Sequence, residues 1–325
     1  MAENDPKTAA GTRRIGLVQM RCEPDPVRNL RHAQDGIEDA VRDGAEVVCL
    51  PELFRTPYLC QSEDLRRFDW AESIPGPTTE ALAKQASDLG VSLIAPVFER
   101  RAAGLYHNTA VILNARGEIA GRYRKMHIPD DPLYYEKFYF TPGDLGFAAH
   151  QTEAGRLGVL ICWDQWFPEA ARATTLAGAD FLFYPTAIGW QCDQQESVDR
   201  AQLRAQLDAW RTIQRGHAIA NGIFVIVVNR VGHETLEGAE GQGIDFWGSS
   251  FVVDPFGRVL AEAPDDDEAV LVVDCDLGEI ERIRREWPFL RDRRIDAYGG
   301  LGRRFLDAAD SDDADDATDP MDPTG

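Results

Sequence analysis

Four lysines, Lys7, Lys84, Lys125 and Lys137, are all that this chain of 325 residues contains, against 30 arginines. With 55 Asp plus Glu against 34 Lys plus Arg, the formal charge is -21. A chain so acidic lacks the basic footprint on which bulk binding to nucleic acid or an anionic membrane rests. Long apolar runs are missing too. The longest span about six residues, as in Ile223 to Val228, whereas a membrane span needs about 20 and a signal peptide an apolar stretch of about 7 to 15. Met1 to Thr12 is polar, so a cytoplasmic protein is expected. The six cysteines, Cys22, Cys49, Cys60, Cys162, Cys192 and Cys275, form no C-x-x-C pair, which argues against a disulfide framework or a zinc site. There is no G-x-S-x-G elbow, no H-E-x-x-H, and no Walker or dinucleotide fingerprint, so serine-hydrolase, zinc-protease and nucleotide-binding readings have no support.

What is present is an ordinary core-forming composition, 44% hydrophobic and 9% aromatic, in which strand and helix signals alternate. Strands are expected at Ile15 to Met20, Ala45 to Leu50, Val91 to Phe98, Leu157 to Cys162, Phe181 to Tyr184, Phe224 to Asn229, Ser249 to Val253 and Val270 to Val273. Thr109 to Arg122 reads as strand broken by a hairpin turn at Arg116-Gly117. Helices are expected at Asn29 to Arg42, Thr79 to Leu89, Glu169 to Ala177 and Leu203 to Ala220. One phrase occurs twice. Arg14-Ile15-Gly16-Leu17-Val18 followed by Gly44-Ala45-Glu46 and a strand stopping at Pro51 is answered by Arg156-Leu157-Gly158-Val159-Leu160, then Gly178-Ala179-Asp180 and a strand stopping at Pro185. Two such strand-helix-strand units, each with helices on the outer face of its sheet, predict an α/β fold, a four-layer α-β-β-α sandwich. A flexible arm is expected at 1–12, a single domain at 13–306, and an acidic disordered tail at 307–325, where seven Asp fall between Asp307 and Asp319 without an aromatic.

Chemistry in α/β folds concentrates at strand ends, where side chains emerge beside the connecting loops. Glu52 follows Cys49-Leu50-Pro51, Lys125 lies past the hairpin strand, and Cys162 follows Gly158-Val159-Leu160-Ile161. Pro168 suits the first turn of a helix just beyond, and a thiol ahead of a helix N-terminus has its thiolate favoured by the backbone dipole. Taken singly, a cysteine after an apolar run is most often packed core, and Glu52 reads equally well as a helix cap. As a set, thiolate, carboxylate and ammonium are what cleavage of an unactivated C–N bond requires: a nucleophile, a proton carrier and a charge to hold the oxyanion.

Pro51-Glu52-Leu53-Phe54, Arg124-Lys125-Met126-His127-Ile128-Pro129 and Gly158-Val159-Leu160-Ile161-Cys162-Trp163-Asp164 resemble, in order, the three signature segments of the nitrilase superfamily of carbon-nitrogen hydrolases. The resemblance runs from about Arg14 to Trp287. The segments Asp130 to Asp144, Cys162 to Arg172, Tyr184 to Trp190 and Gln214 to His217 are most similar to the branch acting on N-carbamoylputrescine. The resemblance implies Cys162 as nucleophile, Glu52 as general base, Lys125 as oxyanion stabiliser with the Trp163 backbone N–H, and Glu136 as a second glutamate that orients Lys125 and Glu52. It implies no metal or organic cofactor, a homo-oligomer, and a small cationic ureido substrate. Such a substrate wants apolar or aromatic walls and a carboxylate at the far end. Tyr58, Trp163, Thr186 and Trp190 are the expected walls, and Asp193 or Glu196 the expected acid. Plant relatives carry a Ser-Glu pair where Trp190-Gln191 stand here, so the ammonium partner does not transfer by alignment. Nothing in the spacing of His107, His127 and His217 favours a cysteine-histidine pair.

Overall fold

Alternate residues of the first strand serve two different layers. In β1 (Thr12–Gln19), Ile15 and Leu17 enter a core shared with a second sheet, while Val18 packs beneath helices. The computed structural model describes residues 11–191, 200–235 and 242–306. The acidic segment from Asp307 on, like most of the N-terminal arm, lies outside them. Thr12, assigned to that arm from sequence, instead opens β1 opposite Asp276.

The chain continues through α1 (Pro26–Arg42), β2 (Val47–Cys49), α2 (Pro77–Leu89), β3 (Ser92–Ala102), β4 (Leu105–Leu113), β5 (Ile119–Arg124) and α3 (Glu136–Tyr139). It then forms β6 (Ala149–Thr152), β7 (Gly155–Val159), α4 (Pro168–Leu176), β8 (Phe181–Pro185), β9 (Gly189–Gln191) and α5 (Arg200–Asn221). The last described elements are β10 (Phe224–Val228), β11 (Val231–Thr235), β12 (Gly243–Trp247), β13 (Phe251–Val253), β14 (Val259–Glu262), β15 (Ala269–Asp276) and α6 (Gly278–Glu286). Helix α1 shows how locally such elements are specified. Asp25 caps it by accepting the backbone N–H of Val27 at 2.8 Å, Pro26 opens it, and Ala33, Ile37 and Ala40 form its buried stripe.

One six-stranded sheet has the order β15-β1-β2-β3-β4-β5 and the other β14-β13-β10-β8-β7-β6. The inner core joins Ile15, Leu17, Val47 and Ile94 of the first sheet to Val159, Phe183, Val225 and Val227 of the second. The outer face of the first sheet is covered by α1 and α2, through Ile37, Ala40, Leu82 and Ala86 against Val18, Val48 and Leu93. Helices α4 and α5 lie on the second sheet. This is the four-layer α-β-β-α sandwich. A small sheet, β11-β12-β9, was not anticipated: β9 has three residues, and Gly232 and His233 interrupt the apolar signal of β11.

The repeated phrase corresponds to two parallel strand-helix-strand units. Ile15 pairs with Val47, and Leu157 with Phe181. Gly44 and Gly178 take φ of 94° and 96°, a region unfavourable to any other residue. Each turn packs on the arginine that opens the unit, Arg14 or Arg156. A Cβ on Gly16 would meet Ala45, and one on Gly158 would meet Ala179, both at 3.0 Å.

Candidate active site

The strand expected to reach Cys162 stops at Val159. Cys162 has φ of 43° and begins a 3-10 turn, Cys162–Trp166. Holding an L-residue there costs on the order of 1–3 kcal/mol and persists only where the surroundings over-determine it. The buried carboxylate of Asp164 does this. Its Oδ2 accepts the Ile161 backbone N–H at 2.9 Å and the Tyr123 hydroxyl at 2.8 Å; its Oδ1 accepts the His127 backbone N–H at 3.0 Å and lies 2.7 Å from His127 Nδ1. Tyr123 and His127 flank Lys125, and Ile161 precedes Cys162, so one carboxylate ties the lysine's loop to the cysteine's turn. On the other side of Lys125, Arg124 makes a buried bidentate pair with Glu99 at 2.8 and 2.7 Å, fixing the end of β5.

Glu52 leaves β2 on an equally constrained backbone, with Leu53 at φ of 51°. The buried guanidinium of Arg230 donates to the carbonyls of Glu52, at 3.0 Å, and Leu53, and pairs with Glu234 at 2.8 Å. Glu234 in turn accepts the Tyr58 backbone N–H. The Glu52 carboxylate is divided between two tasks. Oε1 accepts Lys125 Nζ at 2.8 Å and Asn108 Nδ2 at 2.7 Å, whereas Oε2 is buried with no hydrogen-bond partner. Lys125 also reaches both oxygens of Glu136, at 2.8 and 2.7 Å, and Tyr58 donates its hydroxyl to Glu136 at 2.7 Å.

Glu52, Lys125 and Glu136 are shielded from solvent, and their electrostatics follow from that. Burial alone would lower the pKa of the Lys125 ammonium, but Glu136 and Glu52 outweigh it and hold the pKa well above the usual value. Burial pushes Glu136 up to about 7, against the pull of Lys125. Burial also raises the Cys162 thiol well above its ordinary pKa; the Glu52 charge adds to this and Lys125 offsets part. The thiolate expected from a helix N-terminus is therefore not the resting form. The site favours a neutral thiol, whose sulfur lies 3.8 Å from the Ala187 carbonyl, in the field of the Glu52 carboxylate.

Cys162 opens into a cavity of about 430 Å³ whose described lining includes Asp131, Tyr134, Trp163, Trp166, Ile188 and Trp247. Trp163 lines this cavity as expected of a wall. Tyr58 and Thr186 do not: Tyr58 is buried against Glu136, and Thr186 bonds inward to the Tyr184 carbonyl at 2.9 Å. Trp190 faces a neighbouring hollow of about 570 Å³, shared with Asp245, Asp265 and Asp266, which does not include Cys162 in its lining. Asp193 and Glu196 lie outside the described residues. His217 binds the Gln165 carbonyl at 2.7 Å, and His107 approaches the Thr141 carbonyl at 2.9 Å, so neither contacts the thiol. Sequence reasoning missed Asn108, Asp164 and Arg230. A signal existed for Asn108: His107-Asn108-Thr109 is a polar trio in an otherwise apolar strand, each of its residues buried. Among the described residues no group of three or more His, Cys, Asp or Glu is placed to hold a metal ion, and no helix is long and apolar enough to cross a membrane.

An α-β-β-α sandwich presenting a thiol, a carboxylate and an ammonium past its strand ends, with a second carboxylate from α3, defines a class, the nitrilase superfamily. The chain belongs to the carbon-nitrogen hydrolase family, whose pattern it matches over residues 14–285. It is 42% identical to an N-carbamoylputrescine amidase of Arabidopsis thaliana over 286 residues, 87% of this chain and 93% of that protein. It is 35% identical to a citrullinase of Francisella tularensis, over 90% of this chain and 99% of that one. The crystal structure of a carbon-nitrogen hydrolase from Helicobacter pylori G27 superposes with a TM-score of 0.86 at 46% identity, covering 91% of this chain and all of that one.

Proposed function

We propose that the protein hydrolyses N-carbamoylputrescine to putrescine, carbon dioxide and ammonia through a carbamoyl thioester on Cys162, a step of polyamine synthesis from agmatine. The observation that carries this reading is a thiol opening on an aromatic-walled cavity with no Arg, Lys or His in its described lining. Citrulline is also a ureido compound, but its far end bears a carboxylate that would want such a cation; putrescine's bears only an ammonium. Identity to the plant enzymes supports the same choice.

In the reaction, the unpartnered Oε2 of Glu52 takes the Cys162 proton as sulfur attacks the ureido carbon. Lys125 spends its three N–H donors on Glu52 Oε1 and both oxygens of Glu136; turning one of the two Glu136 bonds to the substrate oxygen supplies a donor to the tetrahedral oxyanion, with the Trp163 backbone N–H as the second. Collapse of that intermediate expels the terminal nitrogen, which leaves as ammonia with the proton from Glu52. Water then attacks the thioester, Glu52 accepts its proton and returns it to sulfur, and the released carbamate loses carbon dioxide to give putrescine. Glu136 and Asn108 position Lys125 and Glu52 through the bonds above.

Ammonia release measured on purified enzyme should show kcat/KM for N-carbamoylputrescine at least about tenfold above that for citrulline or N-carbamoyl-β-alanine, since one unpaired charge in a partly desolvated site is worth 1.4 kcal/mol or more. The reverse order would sink the assignment.

A further inference from the structure

We propose that Asp131 recognises the distal ammonium of the substrate and is the main source of selectivity for a cationic ureido compound. This rests on the functional reading above and supplies the group which that reading leaves unassigned. Apart from Cys162, Asp131 is the one ionisable acid in the described lining of the cavity other than the phenol of Tyr134. Its carboxylate has no hydrogen-bond or ion-pair partner among the described residues. It is thus not already neutralised by an arginine, as Asp64 is by Arg66, Glu99 by Arg124, and Asp144 by Arg101 and Arg124.

The backbone that carries Asp131 is fixed even though the side chain is solvent-exposed. Its carbonyl accepts the Tyr134 N–H at 2.8 Å, and the next carbonyl, of Pro132, accepts the Gln191 side chain. Tyr134 in turn donates its hydroxyl to the Gly189 carbonyl at 3.2 Å and accepts the Gly189 N–H at 3.1 Å. The loop is thereby pinned to β9. It is also the segment joining Lys125 to Glu136, so the acid is set on the same rigid connection as the groups around the thiol. The lining that Asp131 and Cys162 share is otherwise mostly aromatic and apolar, with Tyr134, Trp163, Trp166 and Trp247 beside the amides Gln191 and Gln206, and suits a run of methylenes. A ureido head at the sulfur and an ammonium at the acid match a linear substrate with one charge at its end, and the same acid repels a carboxylate there.

The test compares Asp131→Asn with wild type on N-carbamoylputrescine and on butylurea, which has the same four-carbon chain without the ammonium. The variant should lose roughly tenfold or more in kcat/KM for N-carbamoylputrescine, through KM, leave butylurea turnover unchanged, and hydrolyse citrulline faster than wild type. Unchanged butylurea turnover also shows that the variant folds. A wild type that prefers N-carbamoylputrescine over butylurea, with the preference intact in Asp131→Asn, overturns the role of Asp131 alone. A wild type without that preference overturns the functional reading itself.

Discussion

In the unit β1-α1-β2, Met20 lies just past the first strand and Glu52 three residues past the second; in β7-α4-β8 the corresponding positions of the repeated phrase hold Cys162 and Thr186. The two units share a parallel register, a left-handed glycine packed on the opening arginine, and a proline at or just past the end of the second strand. They differ in what stands just beyond each strand. Met20 is sealed in the outer core with Val18, whereas Cys162 is bent out of the strand into a cavity wall. Glu52 and Thr186 lie side by side, with the Glu52 N–H reaching the Thr186 carbonyl at 3.4 Å, yet only one of them carries charge. A duplicated scaffold thus supplies paired positions, and the residues placed just past the repeat decide which positions present a reactive group.

The sharpest way to break the comparison is to truncate its two first-strand ends. Cys162→Ala should lower turnover by at least about 10⁴-fold while leaving the urea midpoint near wild type, because it removes the proposed nucleophile but little packing. Met20→Ala should do the opposite, destabilising the fold by about 2–5 kcal/mol while turnover of the folded fraction survives. Appreciable activity in Cys162→Ala would overturn the covalent mechanism.

A smaller effect tests whether the two glycines are as alike as they look. A Cβ on Gly158 would sit 2.4 Å from Cγ2 of Thr174, which is fully buried and cannot yield, while one on Gly16 meets nothing closer than 3.0 Å. Gly158→Ala should therefore cost about 2–3 kcal/mol in chemical denaturation and Gly16→Ala about 1 kcal/mol. Equal costs would mean that the second unit relaxes more freely than its packing suggests.

The smallest effect concerns charge. With Glu136 raised by burial to about 7, the folded protein keeps a proton between pH 4.5 and about 7 that the unfolded chain has released. Stability contributed by this group should fall as pH rises through that window, with a slope of at most about 1.4 kcal/mol per pH unit, and level off above it. Urea titrations at pH 5, 6 and 8 should show this slope weakened in Glu136→Gln; an unchanged slope would place the titration elsewhere.

Much of the fold was legible in the sequence because its signals are local. The cap at Asp25, the apolar stripe of α1, the hairpin turn whose Gly117 N–H binds the Asn114 carbonyl at 2.9 Å, and the doubled Gly-Ala-acid turn all act within a few residues. The short strands β9 and β11 were not legible, because three to five residues with polar or glycine interruptions find their register only from a partner strand. At the site, Glu52, Lys125 and Cys162 stood out by residue type and by position at strand ends. Asn108, Asp164 and Arg230 did not, since each acts on residues distant in sequence: Arg230 holds a carbonyl 178 positions away and Asn108 a carboxylate 56 positions away.

By itself the sequence determined which elements form and which chemical groups they can present, since propensity, capping and apolar period are properties of short segments. Only the tertiary structure decided the state of those groups. It divided the Glu52 carboxylate into a tethered and a free oxygen, turned the expected thiolate into a buried thiol, moved Tyr58 from wall to support, and left the Asp131 carboxylate unpaired at the cavity. Burial and partner geometry set proton affinity and direction, and neither exists until distant segments have packed.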